Sequence, residues 1–168
     1  MKQMKRLFLL IICACFFSIQ INAQSEKVSK GGADIRVAKA LNQIKTEYEV
    51  VKDGMYMVTY ETKDKRTQKV LIPSETETFN GVEFRTIVSL AAITDNLPSQ
   101  QEANYLLQQN VERMGVWTIH KNPSGKYIIA NMLRVPADFD GKKLHMALSE
   151  VSILADELEK RLSKKDEY

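Results

Sequence analysis

Residues Leu97 to Trp117, LPSQQEANYLLQQNVERMGVW, set one strongly punctuated helix between two groups of strand-like segments. Ser99 and Glu102 have the spacing of a capping box. The Ser hydroxyl accepts the N3 amide while the Glu carboxylate reaches back to the Ser99 amide. Ala103, Leu106, Leu107, Val111 and Met114 fall on one helical stripe, which predicts a buried face. Gly115 is placed to end the helix in the left-handed conformation. A helix in this position interrupts a sheet, so strands must be contributed from both sides of it.

The first residues bear on compartment. Lys2, Lys5 and Arg6 precede an apolar run from Leu7 to Phe17, and Ile21-Asn22-Ala23 leads to Gln24. A basic start, a short apolar run and a small residue at the cut are the marks of a secretory signal peptide, with cleavage expected between Ala23 and Gln24. The run is shorter than the roughly 18 apolar residues of a membrane span, so no span is expected. Ile12-Cys13-Ala14-Cys15 loosely resembles a lipobox and offers a lipid-anchored Cys15 as the alternative. The apolar stretch Phe16 to Ile21 is unlike the polar tether that follows such a cysteine, and cleavage after Ala23 is favoured.

Removal of residues 1–23 alters what composition implies. Both cysteines leave with that segment, and with them any disulfide, thiol nucleophile or thiolate metal site. The chain carries 24 basic and 21 acidic residues; without Lys2, Lys5 and Arg6 the balance is 21 to 21. The net charge of +3 therefore belongs to the leader and gives no argument for nucleic-acid binding. Residues 24–33 are polar and glycine-ended, a flexible lead into a single domain spanning 34–168.

Asp34 is a candidate N-cap, and Val37, Leu41, Ile44 and Tyr48 continue at helical spacing, predicting a first helix from Asp34 to Tyr48. Asp53-Gly54 marks a turn before a strand at Met55–Glu61, where Tyr56, Val58 and Tyr60 face one way and Met55, Met57 and Thr59 the other. Lys63 to Arg66 is a charged turn, Thr67–Ile72 a second strand, and Asn80-Gly81 a hairpin signal before a third strand at Val82–Leu90. After the central helix, Trp117 and Ile119 share one face of a short strand. Asn122 to Gly125 turns the chain back into Lys126–Arg134, apolar on both faces as in a central strand. Leu144, Leu148, Val151, Ala155, Leu158 and Leu162 then form the seam of a long last helix that packs on a sheet or on a partner helix. The order α-β-β-β-α-β-β-α defines a two-layer α+β domain with an antiparallel sheet.

Reactive constellations are scarce. His120 and His145 stand alone, without a neighbour at metal spacing. Asp138-Phe139-Asp140-Gly141 looks like half a calcium loop, but Lys142 and Lys143 occupy positions where ligands would be needed, and a helix cap explains it better. Glu75 and Glu77 have no acid–base partner. These observations predict no enzyme, no cofactor and no metal site. The candidate binding surface is Met55, Tyr56, Met57, Tyr60, Trp117 and Met132, since methionine adapts to irregular partners, although core roles for these residues are the plainer expectation.

Three stretches carry a family resemblance: Gly81-Val82-Glu83-Phe84-Arg85; Leu97-Pro98-Ser99 through Asn110 to Gly115-Val116-Trp117; and Val135-Pro136-Ala137-Asp138 leading to Asp140-Gly141. With them, and with the closing Lys165-Asp166-Glu167-Tyr168, residues from Asp34 onward resemble the YbjN-like group of type III secretion chaperone-like fold. The resemblance implies a non-enzymatic domain, often dimeric, that binds polypeptide along its sheet or helix surfaces. Type III secretion chaperones are cytosolic and commonly acidic, whereas this chain has an export pattern and a neutral mature charge. The expectation is thus an exported binding module with a protein or peptide partner, with a periplasmic small-ligand sensor or regulatory domain as the alternative.

Overall fold

The computed structural model describes residues 32–163 and 166–168. The expected signal peptide, its Ala23–Gln24 cut, Cys15 and nearly all of the 24–33 lead lie outside the described residues. Helix α1 spans Ile35–Gln43, and the Asp34 carboxylate caps it by accepting the Arg36 amide. It is shorter than the apolar spacing predicts. Lys45 adopts a φ of 53°, and the Thr46 amide donates back to the Leu41 carbonyl, so the chain leaves the helix before Tyr48. Tyr48 instead meets the Tyr56 ring edge-on, with centroids 5.3 Å apart.

Seven strands follow in one sheet: β1 (Glu49–Val50), β2 (Tyr56–Glu61), β3 (Thr67–Ile72), β4 (Glu77–Phe79), β5 (Val82–Thr94), β6 (Val116–Lys121) and β7 (Tyr127–Pro136). Their order is β1-β2-β3-β5-β7-β6, with β4 paired to β5 and every neighbour antiparallel. The three long strands expected before the central helix are β2, β3 and β5; β1 and β4 are short additions. Asn80 and Gly81 both take positive φ and close the β4–β5 hairpin at the pair Phe79–Val82. Strand β5 runs on to Thr94, beyond the Leu90 that strict alternation suggests, because a register shift between Leu90 and Ala92 lets pairing with β7 resume.

Helix α2 spans Gln100–Glu112 and helix α3 spans Gly141–Leu162. The first core cluster joins Val37 and Leu41 of α1, Tyr56, Val58, Val70, Ile72, Ile87 and Leu133 of the sheet, and Leu144, Leu148 and Val151 of α3. The second joins Leu106 of α2 to Trp117, Ile129, Leu154, Ala155 and Leu158. The helices α1, α2 and α3 of the described residues therefore pack on one face of the sheet, and the domain is a two-layer α+β structure. The α3 seam lies on the sheet, and each of its fully buried leucines contributes about 1.5–3 kcal/mol relative to exposure. Gly141 allows α1 close to the start of α3: a Cβ there would stand 2.7 Å from the Ala40 carbonyl, and its amide donates to Gln43 Oε1 at 2.7 Å.

Helix α2 departs from expectation along its stripe. The capping box is present, with Ser99 Oγ accepting the Glu102 amide and the Glu102 carboxylate accepting the Ser99 amide. Of the stripe residues only Leu106 is buried; Leu107, Val111 and Met114 are 63%, 87% and 69% exposed. The helix touches the domain along one line of residues, too narrow to cover a full apolar stripe. It also ends at Arg113 in extended conformation, so Gly115 is not its left-handed terminator.

Candidate binding face

The sheet face turned away from the helices carries an apolar row. Met57 pairs with Leu71, Leu71 with Val88, Val88 with Met132, and Met132 with Val116, so five strands contribute one residue each. Their chain neighbours Tyr56, Val58, Val70, Ile72, Ile87, Ser89, Asn131, Leu133 and Trp117 are buried on the helix side. The two-residue period of a strand sends the row to the opposite side. Met57, Leu71, Val88 and Met132 are partly exposed and Val116 is 43% exposed. At about 4.8 Å per strand, the row crosses the sheet over roughly 19 Å. Thr118 Oγ1 lies 3.1 Å from Met132 Sδ within it.

The six residues expected to form a binding surface are thus divided by the sheet. Met57 and Met132 share the open row, with Met55 on the Met57 side of β2 by alternation and partly exposed. Tyr56 and Trp117 are core residues, 3% and 8% exposed, which corrects their assignment to a surface. The Tyr56 hydroxyl donates to the Asp34 carbonyl, and Trp117 Nε1 donates to Gln109 Oε1. Tyr60 lies on the helix side, its ring 5.9 Å from that of His145.

Two charged networks absorb the acidic groups withdrawn from solvent. In the first, Arg36 makes a two-pronged contact with Glu83 at 2.6 and 2.9 Å and also bonds Asp34, which accepts from Arg85 as well. Hydrogen bonds from Arg36 and then Thr76 bring the Glu83 carboxyl down to about 2. Burial works to raise the Asp34 carboxyl, but its bonds to Arg36 and the Arg85 charge outweigh that and leave it lowered. In the second, Arg66 meets Asp156 at 2.5 Å and Glu159 at 3.1 Å, with Asp166 at 3.7 Å. Burial pushes the Glu159 carboxyl up, partly offset by the Glu167 amide and Arg66.

These three acids bring one oxygen each within 4.8 Å, a spacing compatible with a cation, yet the Arg66 guanidinium already supplies the counter-charge. The charged turn Lys63–Arg66 thus hides an inward-facing arginine. Sequence offered one hint of it, two acids at 156 and 159 flanking the apolar seam. Asp138 and Asp140 form no ligand cage: the Asp140 carboxylate caps α3 by accepting the Lys143 amide. His120 and His145 are both exposed.

No family model matches the chain, and no curated protein or solved structure matches it either. Among the described residues, no helix is long and apolar enough to cross a membrane.

Proposed function

We propose that this chain is an exported, non-enzymatic binding module, periplasmic or secreted, that holds a protein or peptide partner on the open face of its sheet. The observation that carries this is the Met57–Leu71–Val88–Met132–Val116 row, an apolar band spanning five strands with the helices packed on the other side. Two of its members are methionines, whose flexible, polarisable side chains accommodate partners of varied shape. Export rests on the pattern of residues 1–23, with a lipid anchor at Cys15 as the alternative. The non-enzymatic reading rests on the destination of the buried charges: Asp34 and Glu159 pair with arginines and do not converge with a base on a cleft. Resemblance to the YbjN-like group supports the same conclusion. A homodimer is part of the proposal, since Leu107, Val111 and Met114 leave an apolar ridge on α2; light scattering that finds a monomer at high concentration removes that part.

The test places a photo-crosslinking residue at Leu71 or Val88 in cells. A polypeptide adduct that disappears with Met132→Glu, while circular dichroism stays native, is the expected result. Crosslinks confined to exposed Glu157 of α3, on the helix layer, with none from the row, would sink the proposal.

A small-ligand sensor is the second reading. One observation favours it, a cleft of about 290 Å³ beside the second core cluster.

A further inference from the structure

That cleft lies between the end of β5, the start of α2 and the last turns of α3. Leu106, Ile129 and Leu158 line it and are buried members of the second cluster, so its floor is continuous with the core; Leu97 and Leu162 extend the apolar lining toward solvent. Three charged side chains complete the lining: Asp95, Glu102 and Arg161. Two are already engaged. Asp95 lies 3.4 Å from Lys126, and Glu102 accepts from both the amide and hydroxyl of Ser99 at 2.8 Å. Arg161 differs. Its guanidinium sits 4.1 Å from the centroid of the Tyr105 ring and enters none of the ion pairs among the described residues. A guanidinium placed over an aromatic ring gains a cation–π contact that uses none of its N–H donors, and its fork of donors matches a carboxylate.

We propose that this cleft binds an apolar group bearing a carboxylate, with the apolar part on Leu106, Ile129 and Leu158 and the carboxylate on Arg161. The cleft is at the small end of ligand sites, which run from about 300 to 1,000 Å³, and so admits one large side chain or a medium-length acyl chain. Two sources offer this chemistry, a free carboxylic acid and the C-terminal apolar residue of a polypeptide. The inference does not depend on the open sheet face.

The experiment titrates the purified chain with octanoate and with a short peptide ending in leucine, each beside its uncharged amide. Calorimetry gives affinity, and chemical-shift changes at Tyr105 and Ile129 give location. Both free carboxylates, or either alone, are expected to bind at least tenfold more tightly than the matching amide, and which of them binds identifies the source. Arg161→Gln, at an exposed position, is expected to remove that tenfold advantage while leaving amide binding unchanged. Leu97→Ser, 60% exposed, is expected to weaken every probe. Millimolar carboxylate without shift changes at Tyr105 and Ile129, equal affinity for acid and amide, or an unaltered preference in Arg161→Gln would each overturn the proposal. Met132→Glu leaves these titrations unchanged, so failure here and failure of the sheet-face proposal are separate results.

Discussion

Asp34 and Arg85 form an ion pair inside the domain, their side chains only 2% and 0% exposed. The pair ties the cap of α1 to the first part of β5. Arg85 also donates to the Pro73 carbonyl, and the Asp34 amide donates to Ser74 Oγ at 2.8 Å, so helix, strand and the turn after β3 meet at one point. Removing one partner strands the other charge in the interior. Asp34→Ala is expected to cost about 3–5 kcal/mol of unfolding free energy. The double variant Asp34→Ala/Arg85→Met is expected to cost less than the single one. Urea midpoints at constant m-value check both.

Stability should fall in acid for a stated reason. Glu83 is at about 2 in the folded protein against an ordinary value near 4.5, and Asp34 is also lowered. Between those values the unfolded chain binds more protons than the folded one, so the contribution is complete above about pH 4.5 and is lost as pH falls toward 2. Glu159 has the opposite sign, since its raised carboxyl favours folding at low pH and loses that contribution as pH rises through its folded value. Glu83→Gln is expected to lie well below the native protein in stability at pH 7, with the gap narrowing below pH 4.5 and closing only as pH falls to about 2. A gap of equal size at both pH values would refute the assignment.

Gly115 and Asn131 are matched by shape. A Cβ on Gly115 would overlap Asn131 Oδ1, and the Asn131 side chain is fully buried with neither amide atom hydrogen-bonded. Gly115→Ala is expected to cost about 1–3 kcal/mol by overpacking. Adding Asn131→Ala opens the space, so the two changes should couple by about 1 kcal/mol or more in a double-mutant cycle. Thermal unfolding of the four proteins measures it.

Helix α2 offers a sharp contrast along one stripe. Leu106→Ala removes a side chain that is 2% exposed in the second cluster and is expected to cost about 2–5 kcal/mol. At dilutions that keep the chain monomeric, Leu107→Ala and Val111→Ala, at 63% and 87% exposed, should stay within about 0.5 kcal/mol. Ser99→Ala removes the capping box and should cost about 1 kcal/mol. If at high concentration Val111→Ala proves as costly as Leu106→Ala, the ridge is covered in solution, and the dimer gains its interface.

Much of the architecture was legible because it depends on local signals. The Ser99–Glu102 box, the Asn80-Gly81 turn, the Asp140 cap and the α3 seam each act within a few residues, and all appear where expected. The end of α1 was less legible, because apolar spacing continues to Tyr48 while the backbone turns out at Lys45. The exposure of the α2 stripe has a related reason: periodicity reports which residues share a face, not whether anything covers that face.

The sequence by itself determined the helices and the five longer strands of the domain, their order and the α+β class, through propensity, capping and period. Only the tertiary structure decided which side of each strand the helices cover. Alternation splits β5 into Phe84, Thr86 and Val88 against Arg85, Ile87 and Ser89, and the set containing a buried arginine is the one that faces the helices. That choice depends on Asp34, 51 residues away, which supplies the charge that lets Arg85 enter the core. It leaves Val88 on the outside with Met57, Leu71, Met132 and Val116, and it is this long-range pairing that makes the candidate binding face.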